Sequence, residues 1–185
     1  MFLVILTILT SFLANLEQKT LQSDFTVTVA EEVNAPMNYP GTLTMQGRQF
    51  AVAMAGLEAA YDGQTMYMYS AETDELTLSN PTEQELIEAN PFLFAQALAK
   101  ACTVTEKTSS DGQQTIVTLT PKEQNTGINR FVLKVRNNDL MPLSVEIKEG
   151  KKTTTLLLTS PRFVSAQQKY TIAPEPTTYV NDMRI

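Results

Sequence analysis

The chain has 185 residues, 43% of them apolar, and a formal net charge of −6, which fits one domain with a hydrophobic core. It contains no histidine, and this removes the usual general base, the imidazole metal ligand and the near-neutral pH switch. Cys102 is the single cysteine, so no intramolecular disulfide and no thiolate zinc cage can form; it reads as a small buried apolar residue, with a reactive thiol as the alternative.

Charge is unevenly spread. Residues 1–99 carry two basic and twelve acidic side chains, whereas residues 100–185 carry twelve basic and eight acidic ones. An acidic chain with no basic stripe interleaved with aromatics lacks the footprint of a nucleic-acid binder. The basic bias of the second half reads as solvated surface, with attraction to an anionic membrane face as the alternative.

Residues 1–14, MFLVILTILTSFLA, are uncharged and mostly apolar. A secretory leader would carry Lys or Arg in front and a small-residue cleavage site behind, and Phe12-Leu13-Ala14 is a poor site. The run is also shorter than the ~20 residues that span a bilayer. Polar Thr7, Thr10, Ser11, Asn15 and Gln18 instead form one stripe of a helix, with Ile5, Ile8, Leu9, Phe12, Leu13 and Leu16 between them. The spacing predicts an amphipathic helix of the mature domain, with residues 1–6 a candidate leader remnant. No lipobox cysteine follows, so the chain is not expected to be lipid-anchored itself.

Strand signals come next. Phe25-Thr-Val-Thr-Val29 alternates strictly, as a half-buried strand does. Segments 42–45, 49–55, 57–61, 65–70 and 75–79 follow closely. Asp62-Gly63 suits a type I′ hairpin turn, and Pro40-Gly41 marks a bend or a sheet edge. Thr82 and Glu85 are spaced as a capping box, which opens a short helix bearing Leu86 and Ile87. Asn90-Pro91 opens another over 92–101, with Phe92, Leu93, Ala95, Leu98 and Ala99 on its apolar side. Strands resume at 114–120, 129–136, 141–148 and 151–159, with turns at Asp111-Gly112, Asn138-Asp139 and Glu149-Gly150.

The predicted fold is mainly β with helices (α+β). It is an incomplete antiparallel β-barrel: a curled sheet of about ten or eleven strands, lidded by an N-terminal helix and two short central helices. Alternation assigns one apolar face to Phe25, Val27, Val29, Leu43, Met45, Phe50, Val52, Met54, Met66, Met68, Leu76, Leu78, Phe131, Leu133, Val135, Leu143, Val145, Ile147, Leu156 and Leu158. Only the helical segments are left to cover it. Met45, Met54, Met66 and Met68 are either gap-filling core residues or a flexible wall that accepts varied apolar shapes.

Several stretches, in order, carry a resemblance: DFTVTV at 24–29, NYPGTLTMQGRQF at 38–50, YDGQTMYMY at 61–69, NPTEQEL at 80–86 and the closing QKYTIAPEPTTYVNDMRI at 168–185. Together they resemble the outer-membrane lipoprotein carrier protein (LolA) family, periplasmic chaperones of Gram-negative bacteria. The NPT-x-x-E-L junction is closest to a divergent branch of it. The resemblance implies an incomplete barrel lidded by helices, whose concave face holds the acyl chains of lipoproteins. It further implies a monomer located in the periplasm, without cofactor, metal or nucleic acid. Cargo would come from an inner-membrane lipoprotein-releasing ABC transporter and pass toward the outer membrane, where an acceptor is a further expected partner.

On this reading the groove comprises Phe25, Val27, Leu43, Met45, Phe50, Val52, Met54, Met66, Met68, Leu76, Leu78, Phe131, Leu133 and Val145. The lid comprises Ile8, Leu9, Phe12, Leu13, Leu16, Leu86, Phe92, Leu93 and Leu98. Gly47-Arg48 stands where the family has an Arg-Pro pair, which makes Arg48 the candidate lid latch; an exposed hairpin arginine is the alternative. Burying one acyl chain of about 15 methylenes gains roughly 12 kcal/mol, and three such chains would exceed the non-covalent ceiling of about −18 to −21 kcal/mol. A lid docked in the empty groove and displaced by cargo would offset part of that gain.

Two other classes remain open. One is an envelope module of the same fold that binds a protein partner or senses lipoproteins. The other is an enzyme using Asp74/Glu75 or Glu83/Glu85 with Tyr61, Tyr67 or Tyr69; Glu83 and Glu85, two apart on a helix, do not face each other. The composition favours a protein that is not an enzyme.

Overall fold

The computed structural model describes residues 7–123, 127–165 and 169–184; the expected leader remnant at 1–6 lies outside them. The first half runs α1 (Ile8–Gln18), β1 (Thr20–Glu31), β2 (Asn34–Gln46), β3 (Gln49–Met54), β4 (Leu57–Tyr61), β5 (Met66–Ser70) and β6 (Glu75–Ser79). Then come α2 (Glu83–Ala89), α3 (Pro91–Ala99), β7 (Cys102–Thr108), β8 (Gln114–Pro121), β9 (Arg130–Arg136), β10 (Met141–Glu149), β11 (Lys152–Val164) and β12 (Tyr179–Asp182).

All twelve strands join one open sheet in the order β12-β6-β5-β4-β3-β2-β1-β11-β10-β9-β8-β7. The long β1–β11 pair sits at its middle, from Thr20↔Val164 to Glu31↔Lys152. Every pairing is antiparallel except β12 on β6. Among the described residues the sheet therefore has two free edges and does not close on itself, as the sequence predicts for an incomplete barrel.

Twelve strands exceed the ten or eleven expected, because two were not legible as strands. In β7 only Cys102 is buried and the rest is exposed, so no burial-driven alternation marks this edge. β12 is four residues long and exposed along most of its length. The turns also differ in one place. Asp62-Gly63 is not a two-residue type I′ turn: a four-residue turn closes with Asp62 N donating to Thr65 O at 3.2 Å. The Asp62 carboxylate accepts from Gln64 N and Thr65 N at 2.9 and 2.8 Å, a side-chain substitute for backbone turn bonds. The two-residue turn with both φ positive is Ala55-Gly56, at 53° and 78°. Pro40 lies inside β2 rather than at a bend; β3 pairs with β2 only from Gly41 onward, so Pro40 sits where one side of β2 is unpaired.

Local chemistry fixes the helices. Thr7 caps α1 by accepting from Thr10 N at 3.2 Å, and Glu106 on β7 accepts from Ile8 N and Leu9 N, both at 3.2 Å. A carboxylate there also complements the helix dipole. The predicted capping box is present at α2: Glu85 N donates to Thr82 Oγ1 at 3.3 Å and Thr82 N to Glu85 Oε2 at 2.7 Å. Leu9, Phe12 and Leu16 of α1 and Phe92 and Ala95 of α3 pack with Leu21, Met45, Val117, Leu119, Phe131, Leu133, Val135 and Val145 into one core on the concave side. Phe12 and Phe92 meet edge to face at 5.1 Å between ring centroids and 72° between planes, a geometry worth about 0.5–1.5 kcal/mol beyond burial.

Candidate acyl-chain groove

Register decides which side chains share the concave face. Phe25 stands opposite Leu158 on β11, and Leu43 and Met45 stand opposite Val52 and Phe50. Val52 and Phe50 in turn oppose Ala59 and Tyr61, which oppose Met68 and Met66. On the other wing Leu156 opposes Val145, Val145 opposes Leu133, and Leu133 and Phe131 oppose Val117 and Leu119.

These residues have three different fates. Phe131 and Leu133 are fully buried under α3, with Phe94 of α3 tilted against Phe131 at 6.1 Å. They are packed core rather than groove lining. Met66 is likewise buried, in the core with Tyr61. Phe25, Val27, Leu43, Met45, Phe50, Val52, Met54 and Val145 line a cavity of about 350 Å³ with Ile147, Thr154 and Leu156. Its helix-side wall is the α2–α3 junction, Glu88 to Pro91.

Gly41 opens room at this wall. A Cβ there would lie 2.5 Å from the Phe25 ring and 2.4 Å from Ala53 O, so the ring lies over bare backbone. A second hollow of about 410 Å³ shares Val52 and Met54 with the first and runs toward Met68, Thr77 and Glu75. Met68 is on the concave face as expected but is 56% exposed, because no described helix reaches that far.

Leu76 and Leu78 are not in the groove. Met68 pairs with Thr77, which puts Leu76 opposite Tyr69 and Leu78 opposite Tyr67 on the convex side. There β12 sets Val180 beside Leu76. Alternation within β6 alone predicts an inward phase for both leucines; pairing with β5 dictates the reverse, and the tail strand takes up the displaced side chains.

The candidate lid residues fall on the three helices. Leu9, Phe12, Leu16, Leu86, Phe92 and Leu93 are buried, and Ile8, Leu13 and Leu98 pack partly buried against the core. The two helical units are held differently. α1 is tied at both ends and near its middle: Glu106 holds its start, Asn15 Nδ2 donates to Asp139 O at 3.3 Å, and Gly47 N donates to Leu16 O at 2.8 Å. Gly47 has φ +54°, a left-handed conformation that glycine adopts without strain.

The next residue, Arg48, forms a two-pronged ion pair with Glu83, the first residue of α2. Arg48 Nη1 donates to Glu83 Oε1 at 3.0 Å and Nη2 donates to Oε2. The pair holds the Glu83 carboxyl below its ordinary range and the guanidinium above its own. The β2–β3 turn thus touches the end of α1 and the start of α2. The sequence singles out Arg48 but not the Glu106 cap, since no local pattern links that carboxylate to a helix 98 residues away.

The carboxylates considered for acid–base chemistry each have structural partners. Asp74 accepts from Thr178 Oγ1 at 2.8 Å and Tyr69 OH at 3.3 Å, and Glu75 accepts from Asn181 Nδ2 at 3.3 Å. Glu83 is in the Arg48 pair and Glu85 in the capping box. Tyr67 OH donates to Asp62 at 3.0 Å and Tyr61 OH to Gly63 O at 2.8 Å. Cys102 is buried, and burial pushes its thiol up against the opposing pull of Lys122, the direction of an inert structural thiol. Among the described residues no cluster of three or more His, Cys, Asp or Glu could hold a metal ion. None of their helices is long and apolar enough to cross a membrane.

The architecture is therefore a lidded half-barrel: an open sheet, helices docked in its concavity, and an apolar cavity left between them. An uncharacterized conserved protein from Thermus thermophilus has the same fold over 94% of this chain and 96% of its own, at 11% identity and a TM-score of 0.61. A chain of the Pseudomonas aeruginosa MucA/MucB complex matches 88% of this chain and 58% of its own, at 13% identity and a TM-score of 0.53. A LolA superfamily protein from Nitrosomonas europaea overlays more loosely, at 10% identity and a TM-score of 0.41 over 85% of this chain and 94% of its own. No family model matches the sequence, and no curated protein matches it. The incomplete barrel lidded by helices that the sequence resemblance implied is the fold of this chain.

Proposed function

We propose that this protein binds lipoprotein acyl chains in the Phe25–Met54 groove and carries them through the periplasm, from an inner-membrane ABC transporter toward an outer-membrane acceptor. The observation that carries the reading is the cavity of about 350 Å³, walled by aliphatic, methionine and phenylalanine side chains beside docked helices. Ligand sites of this kind are concave and largely apolar, with few polar groups. Methionines at 45 and 54 give the wall adaptability, which suits acyl chains of different length.

In this mechanism α1 is the fixed part of the lid and α2–α3 the displaced part. α1 has bonded contacts at both ends and in its body, while the side-chain ion pair that ties α2 to the sheet rim is Arg48–Glu83. That pair is exposed on both sides, 44% and 64%, so it is weak and suits a latch that must release. A chain of about a dozen carbons fits the cavity with the lid docked. Larger cargo displaces α2–α3, and the lost contacts, Phe12–Phe92 among them, hold affinity below the level at which cargo could not leave.

The test is titration of the delipidated protein with a fluorescent triacylated lipopeptide and its deacylated twin. Saturable binding of the acylated form alone is the expected result. Equal or absent binding of both would end this reading. It would favour a second one, a module that binds a protein partner, for which the fold shared with a chain of the MucA/MucB complex is the supporting observation.

A further inference from the structure

The uneven charge of the chain becomes a division of its sheet. Strands β2 to β6 carry no lysine or arginine, whereas basic residues of β7 to β11 gather on one side. Val117 pairs with Leu133 inside the core, so the neighbouring row, Lys107–Ile116–Lys134, points to the convex side. That row continues through Ser144 to Leu157, which is 53% exposed. Arg130 and Lys148 stand opposite each other on the same side.

Little negative charge offsets them. Among the described residues of these five strands, Glu146 is the carboxylate that faces this way, and it accepts from Arg130 Nη2 at 2.7 Å. Arg136 is matched by Asp139 in the following turn, also at 2.7 Å. Lys107, Lys134 and Lys148 are exposed and have no ion pair among the described residues.

We infer that the convex face of β7 to β11 docks on an anionic lipid bilayer, leaving the groove and helices on the opposite side of the sheet free. The chemistry of the face selects this partner. Phe131 and Phe163, the aromatic residues of these strands, pack against the core, so the convex side offers no stacking platform for single-stranded nucleic acid. Protein interfaces are depleted in lysine and draw their energy from a packed central cluster, and a face of lysine and threonine with one exposed leucine has none. Anionic lipids need no fixed counterpart, because their headgroups diffuse to meet the charges. Leu157 is placed to enter at headgroup level.

The net charge of −6 does not prevent this. At physiological salt charges are screened beyond about 8 Å, and β7 to β11 span about 19 Å, four spacings of ~4.8 Å. The bilayer therefore meets the local charge of this face. Each basic residue brought to such a surface strengthens binding about fivefold.

The test is co-sedimentation of the full chain with phosphatidylcholine vesicles, with and without about one part in three phosphatidylglycerol. Binding is expected only with phosphatidylglycerol and should fall at least tenfold when salt rises from about 0.05 to 0.3 M. Lys107→Gln/Lys134→Gln should weaken it about 30-fold. Lys151→Gln/Lys152→Gln, the same change of charge at the β10–β11 turn, should weaken it less than about threefold. Circular dichroism confirms that both variants are folded. Equal binding to both kinds of vesicle would overturn the inference and point to lipid entering the groove instead. Equal losses in the two variants would overturn the assignment to this face. Binding to neither vesicle would also overturn it, and binding to polyglutamate in its place would identify an acidic protein as the partner. The inference stands apart from the acyl-chain reading: both variants should bind lipopeptide as the unchanged chain does, so failure of that reading shows in the lipopeptide titration and not here.

Discussion

Val52 forms part of the wall of both hollows on the concave face, so a larger side chain there should shorten the ligand the groove can hold. The inner cavity of about 350 Å³ accommodates roughly 12 methylenes, if each takes about the ~30 Å³ of a water in the liquid. Each buried methylene contributes about 0.8 kcal/mol, which is about fourfold in Kd. For a series of N-acylated glycines from 6 to 18 carbons, affinity should climb about fourfold per carbon and level off near 12. Val52→Trp adds roughly 100 Å² of apolar surface, equivalent to three or four methylenes at ~30 Å² each. The plateau should move to about 8 or 9 carbons, with the initial slope unchanged and the longest chains weakened about 100-fold. Competition titration reads both slope and plateau, and a melting curve confirms that the variant is folded. A plateau that stays in place in a folded Val52→Trp protein would refute this assignment of the groove.

Other perturbations separate the latch, the fixed helix and the tail. Arg48→Ala removes an exposed, weak ion pair; it should leave the melting temperature nearly unchanged and tighten binding of triacylated lipopeptide up to about fivefold, an effect that fades at high salt. Weaker binding would show that Arg48 holds cargo rather than lid. Glu106→Gln takes a charge and an acceptor from the start of α1 and should cost about 0.5–1 kcal/mol, seen as a fall of about 1–4 °C in calorimetry; no change would mean the cap contributes nothing. In β12, the hydrogen bond from Arg184 and its charge bring Asp182 from an ordinary 3.8 down to about 2. A carboxyl lowered on folding stabilises fully above its unfolded value and loses that contribution as pH falls through the folded one. The protection of Val180, Asp182 and Met183 against hydrogen exchange, relative to intrinsic rates, should therefore fall between about pH 4 and pH 2 more than protection in β1, and Asp182→Asn should already show the lower protection at pH 6.

Much of this fold was legible because it is written in local pattern. The stripe from Thr7 to Gln18, the Thr82–Glu85 box and the alternation in β1 each report the physics of one element. What was not legible depends on pairing between distant segments. Leu76 and Leu78 alternate as an inward phase would, and only the register Met68↔Thr77 reveals that they face out. β7 is an edge strand without buried alternation, and its Glu106 carboxylate meets the start of α1. At the site, the aliphatic wall from Phe25 to Met54 follows from alternation. Phe131 and Leu133 alternate in the same way yet are core, because the reach of α3 over β8 and β9 is a tertiary fact. Asn90 is legible as a helix start, and it caps α3 through Phe92 N and Leu93 N.

The tail has a consequence for how this chain assembles. β12 reaches β6 through contacts such as Thr178 with Asp74, 104 residues apart in sequence. That pairing joins segments far apart in the chain, and such distant closure comes late. Until then β6 is a bare edge with Leu76 and Leu78 uncovered, a ready template for another chain's strand. The four-residue parallel strand, anchored by Asp74 and Glu75, covers the edge of β6 and leaves a shorter free edge in its place.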